Sequence, residues 1–577
     1  MQSYPKSERN ISTRSAKPRK RKFHGNQHCN NDEENTEPQS TSAKKLSTAD
    51  EDDVHYSALR GYRLIEFFTV FTALSDILIC RDCKLPVKFE ESGNRGLGFK
   101  IVVICKCGLR NIFSGPLINN GYEVNRRIVF VMRLLGVARE GINLFCNMMD
   151  ICNGLSESTY NAIVLLLHTT TQSLFKASCV KAVDEEKSEN EKHERPILNL
   201  KVSGDGTWKK RGFKSMYGVT TLIGYYSGKV IDLVVKSSFC AACARWKNKT
   251  DTEEYRQWFE EHEPNCQENH KGSSGAIEVE AVKEMFSRSE ELFGVKYGNY
   301  IGDGDSKTFK GILDLNPYGD EFQVVKSECI GHVQKRMGTR LRKTRTDNHL
   351  GGRGKLTEAL IKKLSLYYGL AIRRNVNSAK DMKDAIMATY YHMCSTDDKP
   401  RHEYCPSGSD SWCKWRKAEA LGENPKEIKH PAPLHPDVQT HIKPIFEDLS
   451  RDDLLERCLG GHTQNANECY NSTVWRLCPK HLNSGLKIVE MSAFISAGLF
   501  NDGLNFILRV MNSMQIIIGR QCMSYREKID DQRVSRENRR SSLTTKQARQ
   551  ACLQELTKKN KFYERTEGLL YGPGIAD

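Results

Sequence analysis

Asp205 stands in LKVSGDGTW (200–208) and Asp303 in YIGDGD (300–305). The first acid follows a run of alternating apolar residues (Leu198, Leu200 and Val202), the second a strand-like run, and each is held between glycines. Glycine carries no Cβ, so a phosphate backbone has room to approach such an acid. Two acids on neighbouring strands suit phosphodiester chemistry with two metal ions about 3.5–4 Å apart, which needs carboxylates that bridge and flank the ions. Mg²⁺ takes one or two carboxylates plus water and substrate oxygens. A third acid is therefore wanted, and Asp305, Glu278, Glu328 and Glu468 are its candidates; spacing does not choose among them. A lone Asp at a strand end is commonly a turn or cap residue. The repeat of Gly-Asp-Gly is what separates this pair from that reading.

A second chemistry is written in cysteine and histidine. Cys80, Cys83, Cys105 and Cys107 form two close pairs that suit a four-thiolate zinc site. Zinc would staple a segment too small to fold by burial alone. Cys240, Cys243, His262 and Cys266 form a second set, with His270 as a rival fourth ligand. Cys329 and His332 form a C-x-x-H pair, and His392, His402, Cys405 and Cys413 a fourth group. Those last two are separate zinc sites or share one. Sites filled by four protein ligands are structural, because catalytic zinc keeps an open position, so a zinc hydrolase is not expected.

The chain has 577 residues and a net charge of +15, so several domains and a polyanionic partner are expected. The excess is clustered: residues 1–25 hold eight Lys/Arg against one Glu, and 333–374 hold twelve against Asp347 and Glu358. Clustered cations release counterions from a phosphate backbone. Lys335, Arg336, Arg340, Arg342 and Lys343 are the candidate DNA contacts. Trp208 would stack on an unpaired base or plug the core, with packing favoured. No run approaches the ~18 apolar residues of a membrane span. The polar, basic N-terminus is not a secretory signal, so an intracellular protein is expected, and its 20 cysteines are poor candidates for disulfides. KPRKRK (17–22) reads as a nuclear localisation signal.

These residues need elements to position them. Residues 1–53 have too few large apolar side chains to order. Helical spacing of Leu59, Tyr62, Leu64, Phe67, Val70, Phe71 and Leu74 predicts a helix over 54–79. Strand-like Phe99–Ile104 follows, then helices over 122–178. Three β runs come next, at 197–203, 217–226 and 229–237, with SGK as a turn between the last two. A helix is predicted over 276–294, strands over 298–302 and 322–326, and helices over 355–450 and 484–513. A charged, helical tail covers 523–569. This order is that of a ribonuclease H-like α/β core, a mixed sheet flanked by helices, in which the first and fourth strands are neighbours and Asp205 faces Asp303.

Several longer stretches fit one family. SGDGTW (203–208), NHKGSSGAIEVEA (269–281), IGDGDSKTF (301–309), ECIGHVQKRMGTRLR (328–342), CPSGSDSWCKW (405–415) and TQNANECYNSTVWRLCPK (463–480) resemble the Mutator-like transposases of animal DNA transposons. The resemblance spans roughly residues 55–515 and implies a DDE-type transposase. Its acids would be Asp205, Asp303 and Glu468, the last in the family's Asn-x-x-Glu segment, with Asp305 as the alternative second acid. Cys469 stands where the family more usually has Ser. The resemblance implies two Mg²⁺ or Mn²⁺ ions held by Asp205, Asp303, Glu468 and Asp305, structural Zn²⁺, double-stranded DNA as partner (terminal inverted repeats and target), a homo-oligomer, and the nucleus. The 165 residues between Asp303 and Glu468 require an inserted domain.

The expected organisation is a basic tail (1–53), a helix plus zinc module (54–120), a helical DNA-binding or linker region (121–195) and a first catalytic part (196–345) with a zinc-binding insertion (238–275). A helical insertion (346–454), the last catalytic part (455–515) and a charged tail (516–577) complete it. The alternative function is a domesticated, non-catalytic DNA-binding protein of the same fold.

Overall fold

The computed structural model describes residues 40–47, 54, 56–210, 215–303, 306–352, 354–409 and 411–541. The KPRKRK run, Asp305 and the last part of the charged tail lie outside the described residues. Within the N-terminal segment expected without structure, the described residues include a helix, α1 (Thr41–Ser47). Its Lys45 is buried with the ammonium 3.5 Å from the centroid of the Phe500 ring.

Helix α2 (Phe67–Ile77) is shorter than the spacing predicts. Glu66 is its N-cap and accepts hydrogen bonds from the Phe68 and Thr69 amides, which fixes the start there. Leu59 and Leu64 therefore fall outside the helix and stand exposed. Strands β1 (Lys88–Arg95), β2 (Gly98–Cys105) and β3 (Gly108–Phe113) form an antiparallel sheet, followed by the two-residue strands β4 (Leu117–Ile118) and β5 (Gly121–Tyr122). Helices α3 (Glu123–Leu134), α4 (Arg139–Met148) and α5 (Glu157–Lys192) come next. Ser156 caps α5 through the Thr159 amide, and its 36 residues run about 54 Å.

The central sheet is made by β6 (Asn199–Trp208), β7 (Tyr217–Gly224), β8 (Val230–Ser237), β9 (Lys296–Gly302) and β10 (Val325–Glu328). Its order is β10-β9-β6-β7-β8. β6, β7 and β8 pair antiparallel, and β9 and β10 join parallel. All eight residues of β7 are buried, as its β-branched run predicts for a strand covered on both faces. The turn between β7 and β8 is held from outside: buried Glu186 of α5 accepts from the Tyr226 and Ser227 amides at 2.8 and 2.7 Å.

Short α6 (Ala241–Arg245) and α7 (Glu253–His262) fill the connection to α8 (Ala276–Ser287) and α9 (Ser289–Phe293). The helix predicted over 276–294 is thus broken at Arg288, which turns aside to bond Asp232 of β8. After β9 come α10 (Ser306–Leu315), then, past β10, α11 (Ile330–Asp347), α12 (Glu358–Arg374), α13 (Ala379–Cys394), α14 (Lys414–Ala420), α15 (Pro436–Asp448) and α16 (Asp452–Glu456). The chain returns to the sheet through α17 (Asn465–Leu477), α18 (Leu486–Asp502), α19 (Leu504–Ser513) and α20 (Arg520–Ser541).

Apolar burial divides along the same lines. α8 contributes Ala281, Val282, Met285 and Phe286 to a core with Leu200, Val202 and Leu222. Tyr470, Val474, Val489 and Ala493 of α17 and α18 cover a second core with Val219, Ile223 and Val235. The sheet is thus a mixed sheet flanked by helices. Helices α11, α12, α13, α15 and α16 close a separate core around Met337, Leu364, Tyr368, Ile386 and Phe446. Each fully buried side chain of this size contributes roughly 1.5–3 kcal/mol. No helix among the described residues is long and apolar enough to cross a membrane.

Candidate active site and metal clusters

Asp205 lies inside β6 and not at its end, because the strand runs on to Trp208. The two glycines permit this. A Cβ at Gly204 would meet the Tyr300 ring at 2.4 Å, and one at Gly206 would meet Glu278 Oε2 at 2.6 Å. β6 pairs with β9 in parallel, Ser203 opposite Ile301, so Asp303 emerges just beyond β9 at the level of Asp205. Helix α17 brings the third acid, Glu468, in its first turn. Side-chain hydrogen bonds dock that turn on β6. Gln464 Nε2 donates to the Gly204 carbonyl at 2.6 Å, and Asn467 Nδ2 to the Ser203 carbonyl at 3.1 Å. Ser203 Oγ donates to Asn467 Oδ1 at 2.7 Å. One turn on, Asn471 Nδ2 donates to Asp205 Oδ2 at 2.7 Å.

The three carboxylates interact. Burial raises the Asp205 carboxyl, and the charges of Asp303 and Glu468 add to it, to about 7. Accumulated negative charge of this kind is what a divalent cation relieves, and the hard oxygen donors fit Mg²⁺ or Mn²⁺. His332, in the first turn of α11, lies between the outer two acids: Nδ1 is 4.0 Å from Asp303 Oδ2 and Nε2 is 4.0 Å from Glu468 Oε1. Burial, with Lys335 close by, lowers its pKa despite the acids. Lys335 Nζ lies 3.8 Å from Glu468 Oε1, both side chains more than half exposed, so that pair is worth little to stability.

The other acids sort themselves. Glu278 fills the space beside Gly206, and successive strand residues face opposite ways, so it sits under the face away from Asp205. Glu328 is buried among Arg336, Lys326 and Arg457, its charge already balanced. Asp305 lies outside the described residues.

A cleft of about 680 Å³ opens beside the acids, walled by Asp205, Glu468, Asn471, Trp208, Trp475 and Lys480. Trp208 is half-buried in this wall, its indole N–H donating to the Ser274 carbonyl at 2.8 Å. Trp475 donates to Thr207 Oγ1 at 2.8 Å. Trp475 and Lys480 escape sequence reasoning as site residues, although the i, i+7 spacing of Trp475 from Glu468 along α17 points at the first.

Three of the proposed Cys/His groups assemble. The ligand atoms of Cys80, Cys83, Cys105 and Cys107, of Cys240, Cys243, His262 and Cys266, and of His392, His402, Cys405 and Cys413 lie within 4.8 Å of one another in each group. Edges of 4.0 Å (Cys80–Cys107), 3.5 Å (Cys243–Cys266) and 3.3 Å (Cys240–His262) suit a tetrahedron of Zn–S bonds about 2.3 Å long. These residues could therefore hold a structural metal such as zinc. His270 is not the fourth ligand of the second group. Its Nδ1 and Nε2 face Glu280 at 2.6 Å and the Ser273 carbonyl at 3.0 Å.

The C-x-x-H pair corrects the zinc expectation. His332 is turned to the acids and Cys329 is buried at the start of α11, so neither joins a Cys/His group among the described residues. Of the five expected DNA contacts, Arg336 bonds Glu328 at 2.6 Å, Arg342 bonds Glu358 at 2.8 Å and Arg340 pairs with Asp448. Lys343 is exposed.

A family model described as Mutator-like transposase matches residues 61–413, more than half of the chain. The match includes Asp205, Asp303, His332 and all three Cys/His groups and stops before α17. No curated protein matches the chain.

Proposed function

Because the chain belongs to the Mutator-like transposase family, whose members bind, cut and join DNA, we propose that it is a DDE-type transposase built on a ribonuclease H-like core. In this reading Asp205, Asp303 and Glu468 hold two Mg²⁺ or Mn²⁺ ions. The observation that carries it is the convergence of β6, the end of β9 and α17 on one cleft, with the Asp205 carboxyl raised to about 7. Two ions bound there would supply activation of the attacking water or 3′-hydroxyl and stabilisation of the leaving oxygen. The protein's part is placement. Asn471 fixes the Asp205 carboxylate. His332 spaces Asp303 from Glu468 and offers a neutral imidazole to the scissile region. The cleft beside the acids admits the DNA strand, with Lys480 over the Trp475 ring at 5.0 Å.

The substrates of this reading are the terminal inverted repeats of an element, hydrolysed at their ends, and a target duplex attacked by the freed 3′-hydroxyl. Pairing two ends calls for at least two copies of the chain, working in the nucleus. The thiol-rich groups would each carry one structural Zn²⁺.

The test is nicking and strand transfer on a labelled terminal-repeat duplex with Mg²⁺ or Mn²⁺. Wild type cuts and joins; Asp205→Ala, Asp303→Ala and Glu468→Ala bind the duplex but are inactive. Asp305→Ala inactive with Asp303→Ala active would move the second acid. A wild type that binds and never cuts would make this a DNA-binding protein and not a transposase in action.

A further inference from the structure

The α11–α12 pair carries most of the clustered cations, and they are of two kinds. On α11, Arg336, Arg340, Arg342 and Arg345 are tied to Glu328, Asp448 and Glu358. They hold the insertion together. On α12, Lys362, Lys363, Arg373 and Arg374 are exposed and form no ion pair among the described residues, and α12 has no acid after Glu358. At 3.6 residues per turn these four, with exposed Leu366 and Tyr367 between them, fall on one face about 140° wide. The opposite face, Ile361, Leu364, Tyr368 and Ile372, is buried in the insertion's core.

The direction of this stripe is fixed by the packing. Gln334 fills the space at Gly369, Ser365 abuts Gly338, and Arg342 and Arg345 reach Glu358, so the helices run antiparallel. The Arg373–Arg374 end is therefore level with the first turn of α11, where His332 meets Asp303 and Glu468. From there to Lys362 is about 18 Å along the helix, the axial rise of about five base pairs of duplex DNA at ~3.4 Å each.

We propose that this face of α12 is the track along which the phosphate backbone of duplex DNA leaves the catalytic cleft, with Leu366 and Tyr367 against the sugars between the two cation pairs. The proposal rests on the transposase reading. A line of exposed cations that starts level with His332 and meets no acid on its own helix after Glu358 matches a continuous polyanion.

The experiment is fluorescence anisotropy with a labelled 40-base-pair duplex of mixed sequence, from about 50 to 200 mM salt. The slope of log affinity against log salt falls by about 0.9 for each phosphate that the protein ceases to neutralise. Lys362→Ala/Lys363→Ala/Arg373→Ala/Arg374→Ala should lower it by about 3 to 4, and either pair alone by about half that. A control lacking Lys247, Lys249, Lys426 and Lys429 should keep the wild-type slope. Equal slopes for the quadruple variant and wild type, or the same fall in the control, overturn the track and leave the transposase reading standing. A wild type that binds no duplex overturns both.

A separate observation concerns the third Cys/His group. His402 turns Nδ1 to the ligand cluster, 3.3 Å from His392 Nδ1 and 3.5 Å from Cys413 Sγ. Its other nitrogen, Nε2, lies 2.8 Å from His430 Nε2. His430 Nδ1 in turn lies 2.8 Å from Asp397 Oδ1, which also accepts from the His430 amide at 2.8 Å. Trp415 stacks on the His402 ring. One proton arrangement satisfies every partner: His402 Nε2–H donates to His430 Nε2, and His430 Nδ1–H donates to Asp397. We infer that Asp397 and His430 are positioning residues that hold His402 as an Nδ1 metal ligand. Partners of this kind are typically worth 10–100-fold in metal affinity. Zinc competition against a chromophoric chelator reads this directly. His430→Ala and Asp397→Ala should release one zinc equivalent about 10–100-fold more readily, with the other equivalents unmoved and His430→Gln partly restored. Wild-type release curves for both alanine variants, or no third equivalent in wild type, overturn it.

Discussion

The acid cleft draws on residues 205, 303 and 468, whereas the second Cys/His group uses only residues 240–266. The acids sit on a sheet with apolar cores on both faces, and α17 is docked by Gln464, Asn467 and Tyr470 before any metal is considered. Around Cys240–Cys266 the opposite holds. α6 and α7 bury none of their residues, and a half-buried aromatic stack, Trp246 on Trp258 and Trp258 on His262, packs beside the ligands. The fold makes the acid site, while the thiol site has to make its own local fold. Removing a ligand should therefore have different consequences in the two places.

The sharpest contrast is between Asp303→Ala and Cys243→Ser. Asp303→Ala should lower strand transfer by at least about 10³-fold with zinc content and thermal melting unchanged. Cys243→Ser should lose one zinc equivalent and open residues 238–275 to protease, because bound zinc supplies the folding free energy of such segments. Limited proteolysis of both variants would break the comparison if each were cut alike. A smaller effect separates positioning from ligation within the cleft: Asn471→Ala should lower the rate by about 10–100-fold through misplacement of Asp205, and raise the metal concentration needed for half-maximal activity.

The metal-free protein offers a gentler test. Asp205 has a folded pKa of about 7 against 3.8 in the unfolded chain. The fold holds a proton that the unfolded chain releases, so its stabilising contribution is complete below about pH 4 and lost as pH rises to about 7. The change is at most about 4 kcal/mol. Urea melts in Mg²⁺-free buffer should show stability falling over that window. Asp205→Asn should flatten the fall and be the more stable protein at pH 8. The smallest effect is expected from Ser203→Ala, about 1 kcal/mol in the same melts, from removal of the hydrogen bond to Asn467.

What the sequence makes legible follows the same division. β7 and β8 announce themselves by runs rich in β-branched residues, and the Cys/His groups by spacing, since their ligands are neighbours in the chain. His332 is misread for the same reason: the spacing of C-x-x-H speaks of zinc, while its real neighbours, Asp303 and Glu468, arrive from elsewhere. Helix 54–79 is over-extended because periodicity does not register that Glu66 caps the chain at Phe67. The exposed cations of α12 are hidden because charge counting does not distinguish Arg342, tied to Glu358, from Arg373, which is not. Strand β6 runs past the acid because Tyr300 and Glu278 fill the space that a Cβ at each glycine would take, a contact between distant segments.

The long interval before α17 has a consequence for synthesis. By the time Asp303 leaves the ribosome the sheet has two of its acids, but Glu468 follows 165 residues later. At about 5–20 residues per second that is roughly 8–33 seconds. A nascent chain therefore carries the first two Cys/His groups and the two strands that bring Asp205 and Asp303 before it has Glu468, and the acid cleft is completed only late in translation.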